Sequence, residues 1–252
     1  MQIIKSFSVK ILLSMSIMCG QNIITKDYLR TISQVGAFIY LEYGISNENE
    51  QISANNKPNE FDTFFRNSLK WKNEDIEKAN FASDILIYGA FLGSIPITPM
   101  LSFKDYKEIL LLNLDVMSTT GIITNTVKML SKRQRPSSYF GILDEGKESH
   151  RSFFSGHTSL AFSIGTSNAM LLSKIFPEKK NVIWVANIGL ASLTGFFRIA
   201  ADKHYMTDVI FGGIAGYLIG KAVFNRYNGK IPLISLKMIN NTPYVNLSFN
   251  IK

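Results

Sequence analysis

From about residue 82 onward the chain is dominated by five apolar stretches, at residues 85–103, 109–127, 158–175, 182–197 and 206–224. Each is long enough for several turns of helix, and such runs must be buried against one another or in lipid. The expectation is a helical bundle. Pro96 and Pro99 fall inside the first stretch and predict a kink or an end there. The breaks carry basic residues: Lys104 and Lys107, then Lys174, Lys179 and Lys180, then Lys221, Arg226 and Lys230. If the stretches cross a bilayer in alternation, these clusters all fall on one side, the positive-inside pattern. Against a simple reading, the opposite side also holds Lys132, Arg133, Lys147 and Lys203, and the mean hydropathy of +0.09 is low for a multi-span protein. Asn113, Asp115 and Asn125 interrupt the second stretch and have to face the bundle.

The rest of the chain is read around that body. Lys5 and Lys10 precede a short apolar run at 11–20, so residues 1–20 predict a signal peptide or uncleaved anchor, too short to span a bilayer comfortably. Cys19 is the only cysteine, which excludes an intrachain disulfide, and residues 16–18 match a lipoprotein attachment signal poorly. Residues 21–80 are polar to amphipathic. They include an apolar island at 35–43, an exposed loop at 47–59, and an amphipathic helix within 61–80 with Phe61, Phe64, Phe65, Leu69 and Trp71 as its buried side. The helical domain is expected over 81–228. Strand-like runs at 231–238 and 244–251, joined through Asn240-Asn241, predict a C-terminal β-hairpin within 229–252.

Three groups of polar residues lie between the apolar stretches. Lys128 and Arg135 are two helical turns apart, so both can grip one anion from the same face, and Pro136 then predicts a helix end. Ser155-Gly156-His157 precedes an apolar run, which puts Ser155 and Gly156 at a helix N-terminus, where free N–H groups favour phosphate. In the third group, His204 and Asp208 are one turn apart. That spacing lets the carboxylate hold one ring nitrogen and leaves the other as a nucleophile, with Arg198 upstream as a planar donor. Cations, imidazoles, a hydroxyl and a carboxylate in this order suit phosphoryl transfer. Taken singly, each group is more simply a structural histidine or a solvated basic patch; three in sequence favour an active site. His150 and Arg151 have no spacing that assigns them work.

These residues resemble the type-2 phosphatidic acid phosphatase superfamily, which includes bacterial acid phosphatases, lipid phosphate phosphatases and vanadium haloperoxidases. The pattern is Lys, six residues, Arg-Pro; then Pro-Ser-Gly-His; then Ser-Arg, five residues, His, three residues, Asp. The resemblance covers residues 128–208, with Phe154 in place of the proline and Phe197 in place of the serine. It implies an all-α bundle, lying in or on a membrane, with His204 as nucleophile and Asp208 as its orienting partner. It further implies His157 as general acid and then base, and Lys128, Arg135, Ser155, Gly156 and Arg198 as phosphate-binding groups. A cation cluster of this kind can replace a metal, so neither a metal nor any other cofactor is expected.

The resulting expectation is a phosphatase acting on phosphomonoesters or diphosphates, lipid phosphates first, through a phosphohistidine. It would lie in the cell envelope, membrane-associated or integral, with its site on the outer side. A soluble phosphomonoester is the alternative substrate; a vanadate-dependent haloperoxidase and a non-catalytic lipid- or anion-binding protein are the other readings. The net charge of +8 over 252 residues suits an anionic partner, and no nucleic-acid motif points to DNA or RNA.

Overall fold

The computed structural model describes residues 23–44, 57–101, 106–227, 233–239 and 242–248. The expected signal or anchor at 1–20 and residues 47–56 of the polar loop lie outside the described residues. In chain order the helices are α1 (Ile23–Ile39), α2 (Glu60–Leu69), α3 (Ile76–Leu92), α4 (Tyr106–Ser131), α5 (Gly156–Ile175), α6 (Lys180–Ala200) and α7 (Met206–Tyr227). All five apolar stretches are therefore helical over nearly all of their described residues. Past Leu92, α3 continues through a wider π-helical turn at Gly93–Ile97 and a last turn at Thr98–Met100. Pro96 lies inside the π-helical turn, where it cannot donate to the helix ladder. Asn73–Met100, Pro177–Ala200 and Met206–Tyr227 are long and apolar enough to cross a membrane.

α5 is the central helix, packed on α7, α6, α4 and α3. Its contact with α7 is backbone on backbone. A Cβ at Gly212, Gly216 or Gly220 would come within 2.9, 2.2 or 2.4 Å of the carbonyl oxygen of Ser155, Ser159 or Ser163 respectively. Small residues at every fourth position on both helices thus let their axes approach closely. On the other flank, Ser159 Oγ lies 3.0 Å from Thr124 Oγ1 of α4.

α1 and the π-helical turn that continues it (Tyr40–Gly44) run parallel to α4 and follow it rung by rung. Arg30 bonds Asp115 (3.0 Å), Gln34 donates to Thr119 (3.4 Å), Phe38 covers Gly121, and Glu42 accepts from Asn125 (2.7 Å). The polar interruptions of α4 are satisfied by facing the bundle, as their burial requires. Asp115 is also bonded by Arg226 of α7, and Asn113 donates to Thr98 (3.0 Å) and to the Ser94 carbonyl.

The buried side of α2 is not the expected one. Phe61 and Phe64 are 47% and 65% exposed, whereas Asp62 and Arg66 are buried. Both charges have strong partners inside: Arg66 forms a bidentate pair with Asp202 (2.6 and 2.7 Å), and Asp62 accepts from Arg133 (2.6 Å). Charge-assisted bonds of this quality outweigh the burial of rings at the end of an apolar body, where lipid or headgroups can receive them.

Leu233–Ile239 and Thr242–Ser248 pair antiparallel, with Ile239 opposite Thr242. Among the described residues no helix packs closely against this pair, and a lone two-stranded ribbon is marginal. The expected hairpin is therefore not supported as a part of the fold, which is helical.

Chain direction alternates through the body. α3 starts at one end and leaves it, α4 returns, α5 leaves, α6 returns and α7 leaves. The last turns of α4 and α6 and the first turns of α3, α5 and α7 consequently meet at the same end.

Candidate active site

That end gathers the three polar groups. Lys128, in the last turns of α4, brings its Nζ to 3.4 Å from where a Cβ on Gly156 would lie, so the glycine gives the ammonium room at the start of α5. Ser155 caps α5: its Oγ accepts from the Thr158 N–H (3.4 Å) and the Thr158 hydroxyl (2.9 Å). The Ser155 N–H donates to the Asp208 carbonyl (3.1 Å), tying the second group to the third. Arg198, buried near the end of α6, donates to Asn80 (2.7 Å) and Ser83 (3.2 Å) of α3. Its carbonyl accepts the His204 N–H (3.3 Å).

His204 and Asp208 are both fully buried, yet Nδ1 of the ring is 3.7 Å from Asp208 Oδ2, too far for a hydrogen bond, and has no other partner. The reason lies in the donors that hold the carboxylate. Arg133 (2.6 Å), the Ser152 hydroxyl (2.6 Å) and the Tyr205 N–H (2.9 Å) all donate to it. Arg133 also donates to Asp62, which accepts from the N–H and hydroxyl of Thr207 (2.9 and 2.8 Å), and its guanidinium lies over the Tyr205 ring. In the sequence Arg133 counts only as one of the basic residues between apolar stretches. Only the fold shows that Asp62, in a helix far upstream, supplies its second carboxylate.

Arg135 is held by Glu145 (2.6 Å) and Glu148 (2.8 Å). Glu145 also accepts from Lys203 (3.1 Å) and Ser137. Arg151, which spacing left unassigned, is buried beside this group, donating to Asn125 (2.6 Å) and pairing with Glu148 (3.2 Å). His150 instead lines a polar cleft of about 330 Å³ with Gln134, Ser138 and Asp144. A further residue absent from the sequence reading is Asp84 of α3, whose Oδ1 lies 2.8 Å from His157 Nε2. Its one outward sign in the sequence is a carboxylate at the edge of an apolar run.

The electrostatics keep both rings neutral. Burial holds His204 well below the ordinary histidine range, and Arg135, Arg198 and Lys128 push the same way. His157 is lowered to about 4, by burial first and then by Arg198 and Lys128, against Asp84, which raises it. A neutral imidazole can attack an electrophile, and an arriving dianion would raise the proton affinity of both rings. Among the described residues no three His, Cys, Asp or Glu side chains gather as metal ligands, and the site's carboxylates bond to arginines, a lysine and a histidine instead.

The two departures from the motif are packing residues. Phe154 is buried; Phe197 stands edge-on to Trp71 (5.8 Å between ring centres), against the cluster of Ile76, Ala79, Ala200 and Ala201. Neither takes a charged group from the site.

Comparison with known proteins agrees with the motif. Residues 110–232 match the family model of the PAP2 superfamily. Lipid phosphate phosphatase 1 of Arabidopsis thaliana is 28% identical over 134 residues, 43% of this chain and 41% of that protein. Lipid A 1-phosphatase of Porphyromonas gingivalis is 33% identical over 82 residues, 32% of this chain and 18% of that protein. The matched stretch thus spans less than half the length of these curated relatives. Among solved structures, the transmembrane PAP2 type phosphatidylglycerolphosphate phosphatase from Bacillus subtilis shares the fold, with a TM-score of 0.55 at 21% identity over 79% of this chain and 96% of that one.

Proposed function

We propose that the chain is a membrane-associated phosphatase of the PAP2 superfamily, whose family model residues 110–232 match, and that it hydrolyses lipid phosphate monoesters through a phosphohistidine. The observation that carries the reading is the meeting of Lys128, Arg198, His157 and His204 at one end of a body with three helices apolar enough to cross a membrane. His204 Nε2 attacks phosphorus while Asp208, fixed by Arg133, faces Nδ1 and stabilises the ring as it gains charge. Lys128, Arg135, Arg198, the Ser155 hydroxyl and the Gly156 N–H hold the equatorial oxygens, where charge spreads in the transition state. Arg135 exchanges Glu145 or Glu148 for the phosphate as it does so. His157 gives a proton to the leaving oxygen, then takes one from the water that releases phosphate.

The basic residues between helices at the far end favour an orientation with those breaks in the cytoplasm and the site on the outer face. The substrate's acyl chains would lie along the apolar helices. The test is phosphate release by purified protein from phosphatidate in detergent micelles and from a water-soluble alkyl phosphate. Faster turnover of phosphatidate supports the lipid reading. Preference for the soluble ester would make this a phosphatase of soluble phosphomonoesters, and release from neither would remove the phosphatase reading.

A further inference from the structure

Asp84 lies one turn beyond Asn80 on α3, and the two side chains form a short relay. Arg198 donates to Asn80 Oδ1 (2.7 Å), and Asn80 Nδ2 donates to Asp84 Oδ2 (3.3 Å). The other carboxylate oxygen is thereby aimed at His157 Nε2, 2.8 Å away, and stands 4.0 Å from Arg198. The Asp84 and His157 side chains are 31% and 34% exposed, so the pair lies at the open side of the site, where a leaving group would depart. Around His157 the charged or titratable neighbours are Asp84 from α3, Lys128 from α4, Arg198 from α6 and His204 from the turn before α7. Of the charged neighbours, Arg198 and Lys128 disfavour a proton on the ring and Asp84 favours one.

We propose that Asp84 is a positioning residue that holds His157 by Nε2–H and retains the proton which Nδ1 delivers to the leaving oxygen, fitting this site to esters of aliphatic alcohols. The inference rests on reading His157 as the general acid. In the step it serves, His204 Nε2 forms a bond to phosphorus as the bond from phosphorus to the ester oxygen breaks. The ester oxygen keeps that electron pair and takes the proton from Nδ1, leaving an alcohol, a neutral His157 and Asp84 still a carboxylate. An alkoxide needs that proton, whereas a nitrophenolate departs without it.

The experiment compares dioctanoyl phosphatidate in micelles with p-nitrophenyl phosphate. Asp84→Asn is expected to lower kcat on the alkyl ester about ten- to hundred-fold and on the aryl ester by less than about threefold. It should add no loss in a His157→Ala background and should move the alkaline limb of the alkyl kcat profile to lower pH. Equal losses on both esters, additive losses in the double variant, or higher activity with a lower KM would overturn the proposal. A second measurement needs no Asp84 variant. In ¹⁵N-histidine NMR of the wild type, the His157 signal, one of three histidines and identified by its absence in His157→Ala, should show the neutral ring protonated at Nε2. A proton on Nδ1 would overturn the pairing. If the wild type cleaves neither ester, the phosphatase reading falls, and the NMR result still judges the Asp84–His157 bond by itself.

Discussion

The Arg133 guanidinium spans two fully buried carboxylates, donating through Nη1 to Asp208 and through Nη2 to Asp62, each at 2.6 Å. One side chain therefore fixes Asp208, the partner proposed for His204, and docks α2 on the start of α7. Arg133→Met should cost about 3–5 kcal/mol of stability by leaving two buried carboxylates uncompensated. Activity should fall with it, while Arg133→Lys, a point charge that cannot fork, should recover part of the stability and less of the turnover. Thermal unfolding in detergent and phosphate release on the same samples check both.

His204→Ala should abolish turnover and the acid-labile phosphoenzyme trapped from labelled substrate. Asp208→Asn should keep a trace of both, because Ser152 and the Tyr205 N–H can still order that turn. Full activity in His204→Ala would move the nucleophile elsewhere.

Phosphate binding should take up protons near pH 6. His157 and His204 are held neutral in the free protein, and a dianion beside them raises their proton affinity. Calorimetry in buffers of different ionisation heat would measure the uptake; release of protons would contradict it. The same shifts set the acid limb of stability. Both rings bind protons more weakly folded than unfolded, so their contribution is complete above an unfolded pKa of about 6.5 and is lost as pH falls toward 4. The melting temperature should drop across that window, less steeply in His157→Gln.

Activity should persist in chelator, since fixed cations supply the positive charge for the transition state. Vanadate, which adopts five-coordinate geometry, should compete with substrate, and Arg198→Ala should weaken vanadate more than phosphate. Loss of activity in chelator with recovery on adding a divalent ion would require a metal role.

The apolar runs and the motif spacings were legible because each is local: a helix is written in consecutive residues, and Lys128 with Arg135, or His204 with Asp208, sits within two turns. What escaped was everything set by packing between distant segments. Asp84 reaches His157 only because α3 and α5 start at the same end, and Asp62 reaches Arg133 only because α2 lies across that end. The burial of α2 was misread for the same reason, since aromatic spacing marks an amphipathic face without telling which side meets water, lipid or protein. Asn113, Asp115 and Asn125 gave a partial signal. Their polarity demanded partners, and Ser94, Thr98, Arg30, Arg226, Glu42 and Arg151 provide them.

The glycine and serine rungs between α5 and α7 make the spacing of His157 and His204, the two histidines proposed to be catalytic, a property of peptide planes. Each ring hangs at the start of a helix whose height against the other is set by a carbonyl seated on a glycine Cα. Side chains on the outer faces of α3, α6 and α7 are free of that gauge. On the proposed reading, substrate preference can therefore drift with the apolar outer surface while His157 and His204 keep their separation. A single methyl at Gly216 should do the reverse, spreading the helices and slowing the chemistry on every ester alike.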